Sequence, residues 1–342
     1  FNTLKNKFFT GKFVLAIKFA CLSIMEISMK QTAKVKKDSK KTLRLVKRFI
    51  PVYLMALPGV IYLFINNYMP LPGLVLAFKK YSTKKGIWGS PWVGLKNFKY
   101  LFRTQDAWII TRNTLGYNIL FIIVNVIMEV SIAIILSELT TRWKKVYQST
   151  ILLPHFLSTV IISYLVFAFL SSENGFLNNS IFPLFGKEPI PWYTEPKYWP
   201  FILVFVQTWR GVGYNCIVYL STILGFDREI YEASAIDGAS KWQQIRKITL
   251  PLLRPTIIML VLLSVGRIFY SDFGLFYQVP QQSGVLMNVT QTIDTYVYRG
   301  LLERNDMPMA TAAGVYQSLI GFILVMSANL IVRKIDPDSA LF

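Results

Sequence analysis

The 342 residues are 53% hydrophobic and only 16% charged, yet lysine and arginine (37) outnumber aspartate and glutamate (18), for a formal net charge of +19 and a mean hydropathy of +0.42. Soluble domains carry about 25% charged residues, so this composition excludes both an ordinary soluble domain and a disordered basic tail. A bilayer is the medium that accommodates such a surface.

Residues 1–48 hold 13 of the basic side chains against Glu26 and Asp38, and read as a solvated basic arm, with Met29 as an alternative start. Lys12 and Lys18 interrupt the apolar stretch from Phe8 to Met25, which argues against a signal peptide or an extra span. Six apolar runs near the ~20 residues needed to cross hydrocarbon follow at 49–77, 115–138, 149–171, 199–224, 254–276 and 309–332. An even number puts both termini on one side. With that side inside, the inner segments hold 23 basic residues and the outer ones 12, so both termini are expected in the cytoplasm, in a multi-pass protein of the cytoplasmic membrane. The exception is the segment at 79–112, where Lys79, Lys80, Lys84, Lys85, Lys96, Lys99, Arg103 and Arg112 face a single acid, Asp106.

The spans carry polar stripes at helical spacing: Asn118, Asn125 and Glu129 in the second, Gln207, Arg210 and Tyr214 in the fourth, Ser264, Arg267 and Ser271 in the fifth. A charge facing hydrocarbon costs ~2.5–3.5 kcal/mol or more, so these faces either pack together or line a wet path. Glu129 paired with Arg210 or Arg267 is the packing reading, and it leaves one arginine over. A solute path would draw on Asn125, Glu129, Gln207, Arg210, Tyr214, Arg267 and Ser271. Ala310, Gly314 and Ser318 form a small-residue row suited to close helix packing. Trp88, Trp92, Phe98, Tyr100, Trp192, Tyr193 and Trp199 suit either an interfacial aromatic belt or an external docking surface.

Enzymatic signatures are absent. No GxxxxGK[ST] stands in the chain, since Gly11-Lys12 and Gly186-Lys187 lack the rest of a phosphate loop. There is no HExxH, no GxSxG and no cluster of metal ligands; Cys21 and Cys216 have no partner spacing, and His155 sits in an apolar run. The chain is not expected to be an enzyme or to bind a cofactor. Any uphill transport must draw on an ion gradient or another subunit.

The segment 225–255 is the long cytoplasmic loop of this topology. Asp227 can cap a short helix to Asp237, with Glu229 and Glu232 near its positive end; Gly238 supplies a left-handed closing residue; a second helix from Ala239 to Ile248 ends before Pro251. Two short helices on a glycine form an elbow. The spacing of Glu232, Ala233, Ser234, Gly238, Ile248, Leu250 and Pro251 resembles the EAA signature of permease subunits in bacterial ABC importers, with Ser234 in place of the third small residue. The stretches WVGLKNF at 92–98, NTL at 113–115 and KRFIPVYLMALPGVIYLF from Lys47 are similar to the maltose-type carbohydrate branch, and the resemblance runs over 45–335.

The resemblance implies an all-α integral membrane protein, a six-span type I ABC importer transmembrane domain over 49–335, with a tail at 336–342. It implies a second homologous permease in a heterodimer, two ATPase subunits that hold ATP and magnesium, an extracytoplasmic solute-binding protein and a saccharide substrate. Membrane lipid is the surrounding partner, and nucleic acid is excluded. By the same resemblance Glu232, Ala233, Ser234, Asp237, Gly238, Ile248, Leu250 and Pro251 form the coupling loop that docks on the ATPase. The basic outer loop and spare arginine suggest an anionic saccharide such as a uronic-acid oligomer. The alternatives are an ion-coupled secondary transporter using Glu129 and a non-transporting membrane scaffold.

Overall fold

The computed structural model describes residues 39–139 and 141–335. Most of the basic arm, Cys21, the alternative start at Met29 and the tail at 336–342 lie outside the described residues. Two compact units divide at Gly73. The first contains α1 (Ser39–Leu63), which carries Pro51 and Pro58 inside it and runs into a π turn, Phe64–Tyr68. Asn66 and Asn67 donate side-chain hydrogen bonds back to the carbonyls of Tyr62 and Leu63, which satisfies groups that the wider turn loosens.

The second unit consists of helices joined by turns and loops, with one isolated bridge between Lys79 and Trp92 among its described residues. Its elements are α2 (Lys96–Arg103), α3 (Gln105–Glu138), α4 (Thr141–Leu152), α5 (Thr159–Leu170), α6 (Trp199–Leu224), α7 (Arg228–Ile236), α8 (Lys241–Val265), α9 (Phe273–Gln278), α10 (Met287–Thr290), α11 (Ile293–Leu302) and α12 (Met307–Ile335). Among the described residues, five helices are long and apolar enough to cross a membrane, and a sixth crossing is available if the bent pair of α4 and α5 is one span.

α3 and α6 pack along their lengths and form the spine. Three core clusters sit along it. The first joins Tyr117 and Phe121 to Val166 of α5, Leu203 of α6 and Phe276 of α9; the second joins Ile110 to Phe269, Tyr296 and Met309; the third joins Ala133 to Tyr219 of α6 and Leu253 of α8. Gly213 lets α6 approach the end of α4 so closely that a Cβ there would collide with the Ile151 carbonyl.

Three span boundaries differ from the sequence reading. The third run is not one straight helix: α4 continues through a 3-10 turn at Leu153–Phe156, the chain bends by 97°, and Ser158 restarts a helix by accepting the Ile161 N–H at 3.3 Å. The fifth helix begins at Lys241 and ends at Val265, instead of spanning 254–276. Beyond it, Gly266, Arg267 and Ile268 donate to carbonyls at three- or four-residue spacing, and Asp272 then caps a new helix through the Leu275 N–H. Ser264, Arg267 and Ser271 therefore share no helix face. The second span helix starts at Gln105, where Asp106 and Arg112 had masked its beginning in the sequence.

Of the small-residue row, Ala310 packs as expected: a Cβ on Gly300 of α11 would lie 3.0 Å from its own. Gly314 has open space beside it, and Ser318 is exposed and donates only to the Gly314 carbonyl.

Candidate functional site

The elbow is built almost as its residues dictate. Asp227 accepts the Glu229 N–H at 3.0 Å and starts α7. Gly238 takes φ +77°, and with it the Gly238 and Ala239 N–H groups close the helix on the carbonyls of Ala235 (3.1 Å) and Ser234 (2.9 Å). Ser240 then opens α8 with a reciprocal capping box to Gln243, a Ser-x-x-Gln spacing that was legible but unused. The second arm does not stop before Pro251. A π turn at Ile245–Thr249 widens the helix just ahead of the proline, the Leu250 N–H reaches back to Ile245, and α8 runs on into the fifth span. The missing proline N–H and its ring fall in this first turn after the bulge, where the register tolerates them.

Ser234 does not face outward. Its hydroxyl donates to the Tyr231 carbonyl (2.8 Å) and accepts from the Gln244 side-chain amide (2.9 Å), which also donates to the Tyr231 carbonyl (3.1 Å). The Tyr231 and Thr249 hydroxyls are 3.1 Å apart, and Gln244 and Thr249 are both buried. Lys241 adds an ion pair to Glu138 at the end of α3 (2.9 Å). The elbow is thus bolted to the start of the fifth span through Gln244, a residue the sequence reading passed over. What remains exposed is Glu232, Ala233, Asp237, Gly238 and Pro251, together with Ile236 (87% exposed) and Trp242 (69%). Ile248 and Leu250 are half-buried in the stem.

The polar stripes separate into contacts on different faces. Glu129 is buried and accepts from the Asn215 amide (2.8 Å), not from an arginine. Asn125 accepts from Thr208 (3.0 Å), and Asn118 donates to the carbonyls of Ile268 and Tyr270. Arg210 forms an ion pair with Asp272, and also donates to Thr159 (2.9 Å) and Gln207 (3.3 Å). Asp272 lay inside the predicted fifth run, and its carboxylate was the missing countercharge. Arg210 is therefore not the spare cation. Arg267 is exposed in the turn after α8, with no ion pair among the described residues. Ser271 is held by Asp294, through its N–H at 2.6 Å and its hydroxyl at 2.8 Å. Tyr214 stacks on His155 at 4.6 Å between ring centroids.

The segment 79–112 is also more structural than its charge suggests. Lys79 is buried and donates to the carbonyls of Ile87 (3.1 Å) and Trp88 (2.9 Å). Asn97 donates to the Ala77 and Lys79 carbonyls, and Phe78 stacks between Trp92 and Phe98. WVGLKNF is thus a clasp that closes this loop on itself. Lys80, Lys84, Lys85, Lys96, Lys99 and Arg103 are exposed. The aromatic residues divide: Trp88, Trp92 and Tyr100 are exposed, whereas Trp199 is fully buried and Trp192 donates to the buried Asn178.

Residues 107–337 match the family described as binding-protein-dependent transport system inner membrane component. The chain belongs to this family. It is 34% identical to the polygalacturonan/rhamnogalacturonan transport system permease protein YteP of Bacillus subtilis (strain 168), over 89% of this chain and 94% of that one. It is 32% identical to protein LplB of the same organism, over 86% and 92%. Its fold superposes with a TM-score of 0.79, at 31% identity and over 86% of this chain and 99% of the other, on a chain of a bacterial ABC transporter involved in the import of the acidic polysaccharide alginate.

The protein is therefore an inner-membrane permease subunit of an ABC importer, with the all-helical fold of a type I permease. In such a permease, the bolt at Gln244 carries a specific expectation. Gln244→Leu removes the two hydrogen bonds donated to the Ser234 hydroxyl and the Tyr231 carbonyl, each worth about 0.5–1.5 kcal/mol, while Ser234 keeps its own bond to Tyr231. Gln244→Leu is therefore expected to lower the thermal unfolding midpoint of the purified permease by a few degrees, and Gln244→Asn to lower it less. Thermal unfolding of the wild type and the two variants side by side checks this.

Proposed function

We propose that this permease imports an acidic oligosaccharide or polysaccharide fragment, with ATP hydrolysed on separate subunits. The observation that carries the substrate class is the likeness, over nearly the whole chain, to a permease named for polygalacturonan and rhamnogalacturonan and to a transporter of alginate. The six exposed cations of the segment 80–103 support it, because they raise the local concentration of a polyanion near the entrance.

In this reading the domain boundaries are a basic cytoplasmic arm at 1–48, a permease domain at 49–335 and a cytoplasmic tail at 336–342. Both termini and the elbow face the cytoplasm. A second, homologous permease completes the pore, a pair of ATPases sits beneath it, and an extracytoplasmic binding protein delivers the sugar; a structure related to this chain was solved in complex with an alginate pentasaccharide-bound periplasmic protein. Glu232, Ala233, Asp237 and Gly238 meet the ATPase groove, flanked by Ile236 and Trp242. Ser234, Ile248, Leu250 and Pro251 belong to the stem that passes the motion upward. Closure of the ATPases then rocks α8 and the helices tied to it, exposing the path to each side in turn.

Of the seven residues expected along the path, Gln207 and Tyr214 are retained, with Arg267 at its edge. Asn125, Glu129, Arg210 and Ser271 are assigned to helix packing, because their polar atoms are taken up by neighbouring elements. A competition uptake assay tests the substrate class. Unlabelled trigalacturonate is expected to suppress uptake of a labelled galacturonate oligomer at least tenfold more effectively than a neutral trisaccharide of equal length. Equal competition by the neutral sugar would remove the acidic class.

A further inference from the structure

A groove of about 320 Å³ opens beside the first turns of α3, lined by Arg112, Gly116, Leu120, Pro200, Asn288 and Val289 among others. Its floor is apolar and its rim is cationic. Arg112 donates to the Asn288 carbonyl (2.7 Å) and to the Asn113 side chain (3.1 and 3.2 Å), so the guanidinium is fixed at the mouth by neutral groups only. Among the described residues no carboxylate pairs with it, and its Nη1 has no partner.

The groove lies on a continuous exposed stripe of α3. Trp108, Arg112, Gly116, Leu120, Ile123 and Ile127 follow at intervals of one turn, and Trp108 (68%), Ile123 (52%) and Ile127 (59%) are exposed. A tryptophan and an arginine at one end with aliphatic residues below them is the order of a helix entering a bilayer from its interface. At 1.5 Å per residue, Arg112 stands about 22 Å above Ile127, within the ~30 Å of a hydrocarbon core. A Cβ on Gly116 would touch nothing within 4 Å, so the missing side chain leaves an open furrow directly under the guanidinium.

We infer that this groove is a binding site for an anionic phospholipid, whose phosphate pairs with the free edge of Arg112 while an acyl chain lies along Gly116 and Leu120. The charge is what selects the ligand. A zwitterionic lipid brings its own cation to the same spot, whereas an anionic head group neutralises the unpaired guanidinium, whose planar fork suits phosphate. The rigid hold by Asn288 and Asn113 keeps the arginine from snorkelling away and makes the site one of fixed geometry. The inference rests on membrane insertion alone and is independent of which saccharide is carried.

Native mass spectrometry of the assembled, delipidated transporter tests it, with dioleoyl phosphatidylglycerol and dioleoyl phosphatidylcholine titrated separately. Wild type is expected to bind the phosphatidylglycerol about fivefold more tightly, Arg112→Gln to lose that preference, and Gly116→Leu, which leaves the arginine's own hydrogen bonds intact, to weaken both lipids. Should Arg112→Gln fail to assemble, Gly116→Leu alone decides. Wild type without a preference, an Arg112→Gln transporter that keeps it, or a Gly116→Leu transporter with unaltered binding would each overturn the site. Displacement of the bound lipid by trigalacturonate would overturn it in favour of a saccharide subsite.

Discussion

Replacing Gly238 with valine will cut recovery of the ATPase with this permease about tenfold, equivalent to ~1.4 kcal/mol of lost docking energy, while the permease itself stays in the membrane. The reason is local. Gly238 holds φ +77°, and the two backbone bonds that close α7 depend on it. A β-branched residue is disfavoured in that region by roughly 1–2 kcal/mol or more, so the turn opens and the exposed faces of α7 and α8 lose their fixed angle. Glu232→Lys acts differently: it leaves the elbow intact and reverses the charge at its exposed face. It is expected to weaken ATPase recovery to a similar degree, and compensation by a charge reversal in the ATPase groove should restore it, whereas Gly238→Val will not be rescued. Affinity purification of the complex with quantified subunit ratios measures both. Unaltered ratios in both variants would remove the elbow from the docking surface.

The second large effect concerns Arg210 and Asp272. Their ion pair joins α6 to the residue that caps α9, and Thr159, which accepts from the guanidinium at the start of α5, is the third point of attachment. Both side chains are largely sequestered, at 14% and 17% exposed. Breaking such a pair from one side strands a charge at a cost of about 3–5 kcal/mol. Arg210→Gln and Asp272→Asn are each expected to lower the thermal unfolding midpoint of the purified permease by several degrees, and the double variant to recover more than half of the loss, because two neutral amides can hydrogen-bond to each other. A path residue with no structural role would behave otherwise: Arg210→Gln would leave the midpoint alone and change only uptake. Asp272 also caps α9, so Asp272→Asn, which retains a capping oxygen, separates the ion pair from the cap.

Much of this was legible in the residues. Long apolar runs are the strongest signal a sequence carries, and five of the six appear as helices long enough to cross; the sixth carries its own warning in Pro154 and Ser158, which end one helix and begin another at a 97° bend. The elbow was readable because it is made of local rules, a capping aspartate and a left-handed glycine only a few residues apart. Boundaries set by long-range contacts were not. The end of the fifth span depends on Ser271 being held by Asp294 and on Asp272 reaching Arg210, partners 23 and 62 residues away. Spacing along one helix also cannot say which of two faces a polar residue takes. Gln207, Arg210 and Tyr214 lie towards α5 and its preceding turn, whereas Thr208 and Asn215 of the same helix serve α3. The exchange of alanine for serine at position 234 read as a mild departure from the signature; in the structure the added hydroxyl is what Gln244 grips.

The opening surplus of positive charge divides accordingly. Lys79 is consumed in fixing loop carbonyls, Arg210 is neutralised by Asp272, and Arg112 is held by neutral groups with its charge unpaired among the described residues. The cations left exposed between Lys80 and Arg103 are the part that a polyanionic sugar would meet.

The most direct test of the whole account is uptake of a labelled galacturonate oligomer into proteoliposomes that contain this permease, its companion permease and their ATPases, with the binding protein outside and ATP trapped inside. Accumulation that requires both ATP and the binding protein, and that Gly238→Val abolishes, is the predicted result. Accumulation that proceeds without ATP and follows an imposed proton gradient would contradict it.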